Sequence, residues 1–162
     1  MACVFLGLGS NMNSEDNLRL AISELRSQFG ELEMSPVYQS AAMGFDGDDF
    51  LNMVVRLTTD ENPGDLLERF EIIHGLAGRT RGLQRYTSRP LDIDLLLYDD
   101  LVDSEPPLHL PRRDILEYSF VLKPLAEIAP DRLHPETGKS FSQHWAEFDA
   151  TCHPLTRRDV IL

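Results

Sequence analysis

An arginine-rich segment followed directly by two aspartates is the part of this sequence best suited to chemistry. Four arginines fall within a short stretch that contains no acid: Arg79, Arg81, Arg85 and Arg89. Asp92 and Asp94 follow, in a chain whose formal net charge is −12. Guanidinium groups bind and orient phosphate oxygens, and carboxylate oxygens hold Mg²⁺. The pattern therefore predicts a site for a polyphosphate and its metal ions.

The two aspartates lie at alternate positions of a short apolar run, Leu91–Tyr98, which favours a buried strand. Alternate side chains of a strand share one face, so both carboxylates should point away from Leu91, Ile93 and Leu95. Two steps of roughly 3.3 Å set the carboxylates about 6–7 Å apart. That gap suits two metal ions about 3.5–4 Å apart. On its own, Asp-x-Asp is more typical of a strand with one solvated face, and the adjacent arginines favour the metal site.

Length and composition indicate one globular domain, 1–162. Apolar residues make up 42% of the chain and charged residues 26%, which is ordinary for a soluble protein. No apolar run is long enough to cross a membrane, and the N-terminus lacks the basic region of a signal peptide. Cys3 and Cys152 form neither a disulfide framework nor a metal-binding spacing. These features predict a cytoplasmic protein.

The charge balance restricts the class of partner. Acidic residues outnumber basic ones by 27 to 15, which argues against nucleic acid and anionic membranes as main partners. A small anionic ligand in a local basic pocket is compatible with this balance. We therefore expect small-molecule substrates, no nucleic acid, no membrane association and a monomer.

Hydrophobic periodicity places four strands and two helices ahead of Asp99. The strands are predicted at Ala2–Leu8, Leu32–Gln39, Phe50–Leu57 and Leu91–Tyr98. One helix is expected from an N-cap at Ser14 to Gly30, and another from Pro63 to Gly78. The order βαββαβ is that of a ferredoxin-like α+β sandwich with a mainly antiparallel sheet. A proline-rich C-terminal extension follows, with helical pieces near Ile115–Leu125 and Phe141–Phe148.

The smaller motifs are more typical of structure than of chemistry. The segment from Gly7 to Asn11 lacks the third glycine of a dinucleotide site and the lysine of a P-loop, so we interpret it as a strand-to-helix turn. Gly-Ser before Asp-x-Asp also occurs in nucleotidyltransferases. There the two motifs lie close together, whereas here Gly9-Ser10 and Asp92 are far apart in sequence, so the pattern is weak evidence for that class. The histidines show no metal-ligand spacing, although His74 lies near enough to the arginine segment to contact a nucleotide. By type alone, Phe50 and Phe120 are core residues.

The run Arg85–Leu96, RYTSRPLDIDLL, closely resembles the signature of the 6-hydroxymethyl-7,8-dihydropterin pyrophosphokinase family. Further matches occur in the family's order along most of the chain, both before and after this run: Gly9–Asn11, Tyr38–Ser40, Phe50–Asn52, Gly78–Arg81, Phe120–Pro130 and His134–Pro135. The resemblance implies a ferredoxin-like fold. It also implies an enzyme that moves the β,γ-diphosphate of ATP, as one unit, onto the pterin hydroxymethyl group and releases AMP.

The resemblance further implies roles for individual residues. Asp92 and Asp94 are expected to hold two Mg²⁺ ions, and with them the implied catalytic residues are Arg79, Arg81 and Arg89. The implied ATP-binding residues are His74, Arg79, Arg81, Arg85, Arg89, Leu95 and Arg112. The implied pterin-binding residues are Ser40, Ala41, Met43, Phe50, Asn52 and Phe120. The resemblance implies that the pterin ring lies between Phe50 and Phe120 and that the side-chain amide of Asn52 hydrogen-bonds the edge of that ring.

The chain departs from the family pattern at five positions. Thr87 stands where glycine or alanine is usual, Tyr86 where tryptophan is common and Phe50 where tyrosine is frequent. Arg112 replaces a usual histidine, and Tyr118 a frequent arginine. Because the carboxylates and most of the arginine segment are intact, we expect catalysis. Two alternatives stay open: another Mg²⁺-dependent nucleotide enzyme, such as a nucleotidyltransferase, and a non-catalytic ferredoxin-like module that binds a small ligand.

Overall fold

The computed structural model describes residues 1–43, 45–78 and 90–162, which form an antiparallel sheet with helices on both faces. The strands are β1 Ala2–Ser10, β2 Glu33–Met34, β3 Val37–Ser40, β4 Phe50–Thr59, β5 Asp92–Tyr98 and β6 Thr156–Arg158. The helices are α1 Ser14–Phe29, α2 Pro63–Leu76, α3 Asp114–Glu117, α4 Ser119–Ile128 and α5 Phe141–Glu147, with a 3₁₀ turn at Ala150–Cys152. None of these helices is long and apolar enough to span a membrane.

The strand order is β5-β1-β4-β3-β6, with β2 paired to β4 beside β3. The central strand β1 pairs antiparallel with both β4 and β5. Because β2 and β3 pair with the same neighbour, they act as two halves of one strand, and the order of elements reduces to βαββαβ. This arrangement confirms the predicted ferredoxin-like fold.

The strand predicted over Leu32–Gln39 is interrupted, because Ser35 and Pro36 separate β2 from β3. Proline has no backbone N–H with which to continue a sheet. Ser35 compensates for the break: its N–H donates to the carbonyl of Val54 at 2.9 Å, and its Oγ accepts from the N–H of Val54 at 2.8 Å. The interruption therefore leaves the backbone of β4 hydrogen-bonded.

Each face of the sheet has its own hydrophobic cluster. Under one face, α1 and α2 contribute Leu18, Ile22, Leu25, Leu66, Phe70 and Ile73. On the other face, the C-terminal extension contributes Ile115, Leu122, Leu125 and Phe141, which pack with Phe5 and Val54. The extension thus completes the sandwich. It also adds β6 at the edge of β3, a strand that the sequence did not predict because its three residues are all exposed and show no alternation.

The start of α1 differs from the prediction. Ser14 is the first helical residue rather than the N-cap, and Asn13 holds the cap position in a left-handed conformation at φ 48°. Asparagine tolerates this conformation better than most residues. The hydroxyl of Ser14 donates to the carbonyl of Ser10 at 2.9 Å, so it joins the helix to the end of β1. At the other end, Gly30 closes the helix at φ 81°, as predicted.

His74, near the end of α2, is a buried link between that helix and β5. Its Nε2 accepts a hydrogen bond from the backbone N–H of Ile93 at 2.8 Å, while Nδ1 lies 3.1 Å from Glu71 Oε1. Because Nε2 is the acceptor, the ring proton sits on Nδ1 and faces the carboxylate. His74 therefore helps to fix the backbone between Asp92 and Asp94.

We expect His74→Ala to lower the free energy of unfolding by about 1–3 kcal/mol, because the buried N–H of Ile93 would lose its acceptor. Urea unfolding followed by circular dichroism measures the change. Glu68→Ala is the matched control, since Glu68 is an exposed residue of the same helix and should change stability by no more than about 0.5 kcal/mol. Equal losses in the two variants would show that the His74 link contributes nothing specific.

Candidate active site

A cavity of about 370 Å³ opens between the sheet and α4, above the central strand β1. Residues of β1 form its floor and residues of β5 form one end. The remaining walls come from β4, from the end of β3 with the loop after it, and from the segment that contains α3 and the start of α4. Its lining includes most of the described residues to which the sequence analysis gave a role: Ser40, Ala41, Met43, Phe50, Asn52, Asp92, Asp94, Arg112 and Phe120. These residues come from five separate parts of the chain and meet only in the fold.

Two glycines of β1 keep the floor of the cavity open. Gly9 lies opposite Asp92 on one side and Asn52 on the other, and Gly7 lies opposite Asp94. A Cβ at Gly9 would stand 3.3 Å from Asn52 Oδ1, and a Cβ at Gly7 would stand 3.4 Å from Leu96 Cδ2. A side chain at either position would thus fill the space between the two walls. The sequence analysis ended the first strand at Leu8 and placed Gly9 in the turn that follows, whereas β1 continues to Ser10 and includes both glycines.

Asp92 and Asp94 form the acidic end of the cavity. Both line it and are partly exposed, while Ile93 and Leu95 are buried in the cluster on the opposite face of the sheet. The predicted sharing of one face is therefore confirmed.

The guanidinium of Arg112 lies beside the two aspartates, with Nη2 3.6 Å from Asp94 Oδ1. Its Nε lies 3.4 Å from Asp114 Oδ2. Burial alone lowers the pKa of Arg112, but the carboxylates of Asp94, Asp114 and Asp92 outweigh burial and raise it. Asp114 and Glu117 also line the cavity. Sequence reasoning missed both acids, because nothing in their local pattern sets them apart from surface acids on a short helix.

The opposite wall is built around the buried amide of Asn52. Its Nδ2 donates to Ser40 Oγ at 2.8 Å and approaches the carbonyl of Tyr38 at 3.5 Å. These contacts occupy the N–H side of the amide and leave Oδ1 above Gly9, at the floor of the cavity. Asn52 is thereby fixed as a hydrogen-bond acceptor toward whatever the cavity binds.

The loop after β3 closes the same wall. Met43 and Phe45 line the cavity, and Phe45 meets the ring of Phe50 edge to face at 6.3 Å. Two hydrogen bonds hold the far part of the loop. Asn11 Nδ2, just after β1, donates to the carbonyl of Asp48 at 3.1 Å, and Gln39 Nε2 of β3 donates to Asp49 Oδ2 at 2.7 Å. Phe45 was not identified from the sequence, since a loop phenylalanine has no periodic pattern.

A second aromatic wall comes from the start of α4. Phe120 stacks on Tyr118 with ring centroids 4.9 Å apart and planes 26° apart, and both residues line the cavity. Phe50 lines it from β4. The two phenylalanines that the resemblance paired are thus brought to one cavity, although they lie seventy positions apart in sequence.

The other predicted residues have different surroundings. The side chain of Leu95 is only 2% exposed and packs in the core below the sheet, so any contact with a nucleotide would have to come from its backbone. His74 is buried against β5 and does not line the cavity. Arg79, Arg81, Arg85 and Arg89 lie outside the described residues, and their roles stay predictions.

The acidic end of the cavity fits a metal ion that is shared with a ligand. Within the described residues, no three acid, histidine or cysteine side chains are grouped so that they could hold an ion by themselves. Mg²⁺ is usually bound by one or two carboxylates together with waters and substrate phosphates. Asp92 and Asp94 meet that requirement, and the guanidinium of Arg112 beside Asp94 shows that the position accepts a positive charge.

Comparison with known proteins identifies the family. The family model for 7,8-dihydro-6-hydroxymethylpterin-pyrophosphokinase matches residues 5–130. A 2-amino-4-hydroxy-6-hydroxymethyldihydropteridine pyrophosphokinase of Synechocystis is 38% identical over 149 residues, covering 90% of this chain and 76% of the relative. The enzyme of that name from Aquifex aeolicus is 36% identical over 137 residues, covering 83% of this chain and 85% of the relative.

The fold comparison agrees with the sequence comparison. A Plasmodium falciparum HPPK-DHPS structure with SDX-DHP matches with a TM-score of 0.72 at 13% identity, over 91% of this chain and 43% of that one. At that identity the likeness concerns the fold alone, and it supports the ferredoxin-like assignment. Together with the family model and the relatives, the fold shows that this chain belongs to the 7,8-dihydro-6-hydroxymethylpterin-pyrophosphokinase family.

Proposed function

We propose that this chain transfers the β,γ-diphosphate of ATP to the hydroxymethyl group of 6-hydroxymethyl-7,8-dihydropterin and releases AMP. The observation that carries the proposal is the composition of one cavity, with a carboxylate pair at one end and an amide between aromatic walls at the other. A charged polyphosphate and a flat heterocycle need these two environments side by side. Membership of the pyrophosphokinase family supports the same reaction.

The pterin ring is proposed to bind over the floor formed by Gly7 and Gly9. Phe50 and Phe120 offer faces to a flat ring, and such contacts add roughly 0.5–1.5 kcal/mol beyond the burial of area. Asn52 presents Oδ1 as an acceptor for a ring N–H, because its Nδ2 is held by Ser40. Ala41 and Met43, on the loop that follows Ser40, complete the proposed pterin site.

The triphosphate is proposed to lie at the acidic end. Asp92 and Asp94 would hold two Mg²⁺ ions, which when bound would neutralise and orient phosphate oxygens. Arg79, Arg81 and Arg89 are proposed to engage the triphosphate and to act with the aspartates in catalysis. Arg85, Arg112 and the backbone of Leu95 complete the proposed nucleotide site, and His74 is proposed to contribute to it by holding the backbone between Asp92 and Asp94.

The reaction places few demands on a protein nucleophile. The hydroxymethyl oxygen of the pterin attacks the β-phosphorus and loses its proton, and the bond from that phosphorus to the oxygen it shares with the α-phosphate breaks. That oxygen leaves with AMP. Transfers of this kind are accelerated mainly by alignment and charge neutralisation. The proposed binding of both substrates side by side over the sheet would meet these needs.

Product analysis after mixing the protein with ATP, Mg²⁺ and 6-hydroxymethyl-7,8-dihydropterin tests the proposal. We expect equal amounts of AMP and pterin diphosphate, resolved by anion-exchange chromatography. Pyrophosphate release would instead support a nucleotidyltransferase. Binding of both compounds without any turnover would support a non-catalytic ligand-binding module.

We also propose that the chain acts as one domain, 1–162, and as a monomer in the cytoplasm. Cys3 and Cys152 are both free thiols, which is usual in a reducing compartment. The chain has 27 acidic and 15 basic residues, and repulsion between chains of the same net charge opposes self-association at low salt. Sedimentation equilibrium would measure the mass in solution, and a mass of twice 18.4 kDa would contradict the monomer.

We expect Asp92→Asn and Asp94→Asn each to lower kcat by at least about 100-fold, since losing a metal ligand removes several kcal/mol of charge stabilisation. Steady-state rates at saturating Mg²⁺ measure the effect. Asp131→Asn is the control, because Asp131 is exposed and does not line the cavity. Near-normal rates in both cavity variants would exclude the proposed metal site.

We expect Phe50→Ala and Phe120→Ala to raise the dissociation constant for the pterin by about tenfold and to leave that for ATP almost unchanged. The reason is the loss of a ring contact together with its buried area. Isothermal titration calorimetry measures both constants, and a melting curve reports stability. Phe148→Ala, a change to a half-buried ring outside the cavity, serves as the control. Parallel losses of pterin and ATP affinity would mean that the two residues only maintain the fold.

A further inference from the structure

The side chain of Arg112 lies at the acidic end of the cavity. Its backbone N–H donates to the carbonyl of Leu96 at 3.0 Å, which fixes the segment alongside β5. Its side chain lies between Asp94 on the strand and Asp114 at the start of α3. Only about a third of that side chain is exposed, at 33%. A positive charge therefore lies beside Asp94, one of the two carboxylates proposed to bind Mg²⁺.

The carboxylates of Asp94 and Asp114 attract the side chain of Arg112 but make no short hydrogen bond to it. The closest approaches, 3.6 Å to Asp94 and 3.4 Å to Asp114, are longer than the 2.7–2.9 Å or so of a strong charge-assisted hydrogen bond. Within the described residues its buried Nε makes no hydrogen bond. The neighbouring carboxylates raise the pKa of Arg112 despite its burial, so the charge is permanent at any physiological pH. Attraction between opposite charges is thus the main component of this contact.

We propose that Arg112 is a built-in counter-cation that balances Asp94 in the metal-free protein and moves to the nucleotide phosphates when Mg²⁺ takes its place. The inference rests on the proposed function, since it assumes that a metal–nucleotide complex enters this cavity. Two consequences follow. Arg112 lowers the affinity of Asp92 and Asp94 for a divalent ion alone, because the ion must displace it.

The second consequence is coupling between the metal ion and the nucleotide. Phosphate oxygens give the released guanidinium a new partner, so nucleotide binding compensates for the lost contact with Asp94. Such coupling is reciprocal: whatever factor the nucleotide adds to metal affinity, the metal adds to nucleotide affinity. Arg112 would therefore disfavour the metal ion alone relative to the metal–nucleotide complex.

Binding of Mn²⁺ to the free protein, followed by electron paramagnetic resonance of the unbound ion, tests the proposal without any turnover. We expect Arg112→Gln to bind Mn²⁺ about tenfold more tightly than the original chain, within the usual range of coupling. Arg113→Gln is the matched control, because it removes the same charge from the adjacent residue, whose side chain is 85% exposed and pairs with Glu117 instead. It should leave Mn²⁺ affinity within about twofold, since exposed charges are screened by solvent.

Two further measurements separate this role from a purely structural one. A non-hydrolysable ATP analogue should tighten Mn²⁺ binding by a larger factor in the original chain than in Arg112→Gln. The metal-free variant should also melt at a lower temperature than the original chain, because Asp92, Asp94 and Asp114 lose a shared cation, and Mn²⁺ should reduce that difference. Arg112→Met, which keeps a long stem, replaces Arg112→Gln if the latter does not melt cooperatively.

Unchanged or weaker Mn²⁺ binding in the folded, uncharged variant would overturn the proposal, as would an equal effect of the nucleotide analogue in both proteins. A protein that shows the Arg112 effect on Mn²⁺ but forms no AMP would contradict only the proposed reaction. The two claims therefore fail separately.

Discussion

The register of β1 against its two neighbours is the constraint on which the site depends. Gly9 stands between Asp92 and Asn52, and Gly7 stands beside Asp94, so one central strand sets the distance from the carboxylates to the amide. A slip of one residue would turn these side chains to the opposite face of the sheet. Buried neighbours oppose such a slip, because Leu6 and Leu8 of the same strand belong to the core beneath.

The helices on the two faces of the sheet have different roles. Helices α1 and α2 cover the lower face and bury the leucines that hold the register, while the C-terminal extension covers the upper face and leaves space for the cavity. Arg112, Tyr118 and Phe120 all come from that extension. The chain is strongly acidic as a whole, and the permanent cation of Arg112 lowers the repulsion between the carboxylates at this end of the cavity.

Sequence reasoning succeeded where the signal is local. Alternation within Asp92–Tyr98 is enough to place both aspartates on one face, and the order of elements is enough for the ferredoxin-like fold. It failed where partners are distant in sequence. Neither the pairing of Gly9 with Asn52 nor the contact of Arg112 with Asp94 appears as a periodic pattern in the sequence. The hydrogen bonds by which Ser35 compensates for the break at Pro36 likewise join it to Val54, which is distant in sequence. The pairing of Phe50 with Phe120 came from the family resemblance, since their type alone indicates core.

The central claim is that the pterin and the metal–nucleotide complex share this cavity, and paramagnetic relaxation tests it most directly. Mn²⁺ can replace Mg²⁺ in a complex with a non-hydrolysable ATP analogue, and nuclear magnetic resonance then follows the protons of bound pterin. Their relaxation by the ion falls steeply with distance. The account predicts strong relaxation in the original chain that is lost in Asp94→Asn. Pterin that binds together with the Mn²⁺–nucleotide complex but shows no added relaxation would place the two substrates in separate sites and contradict it.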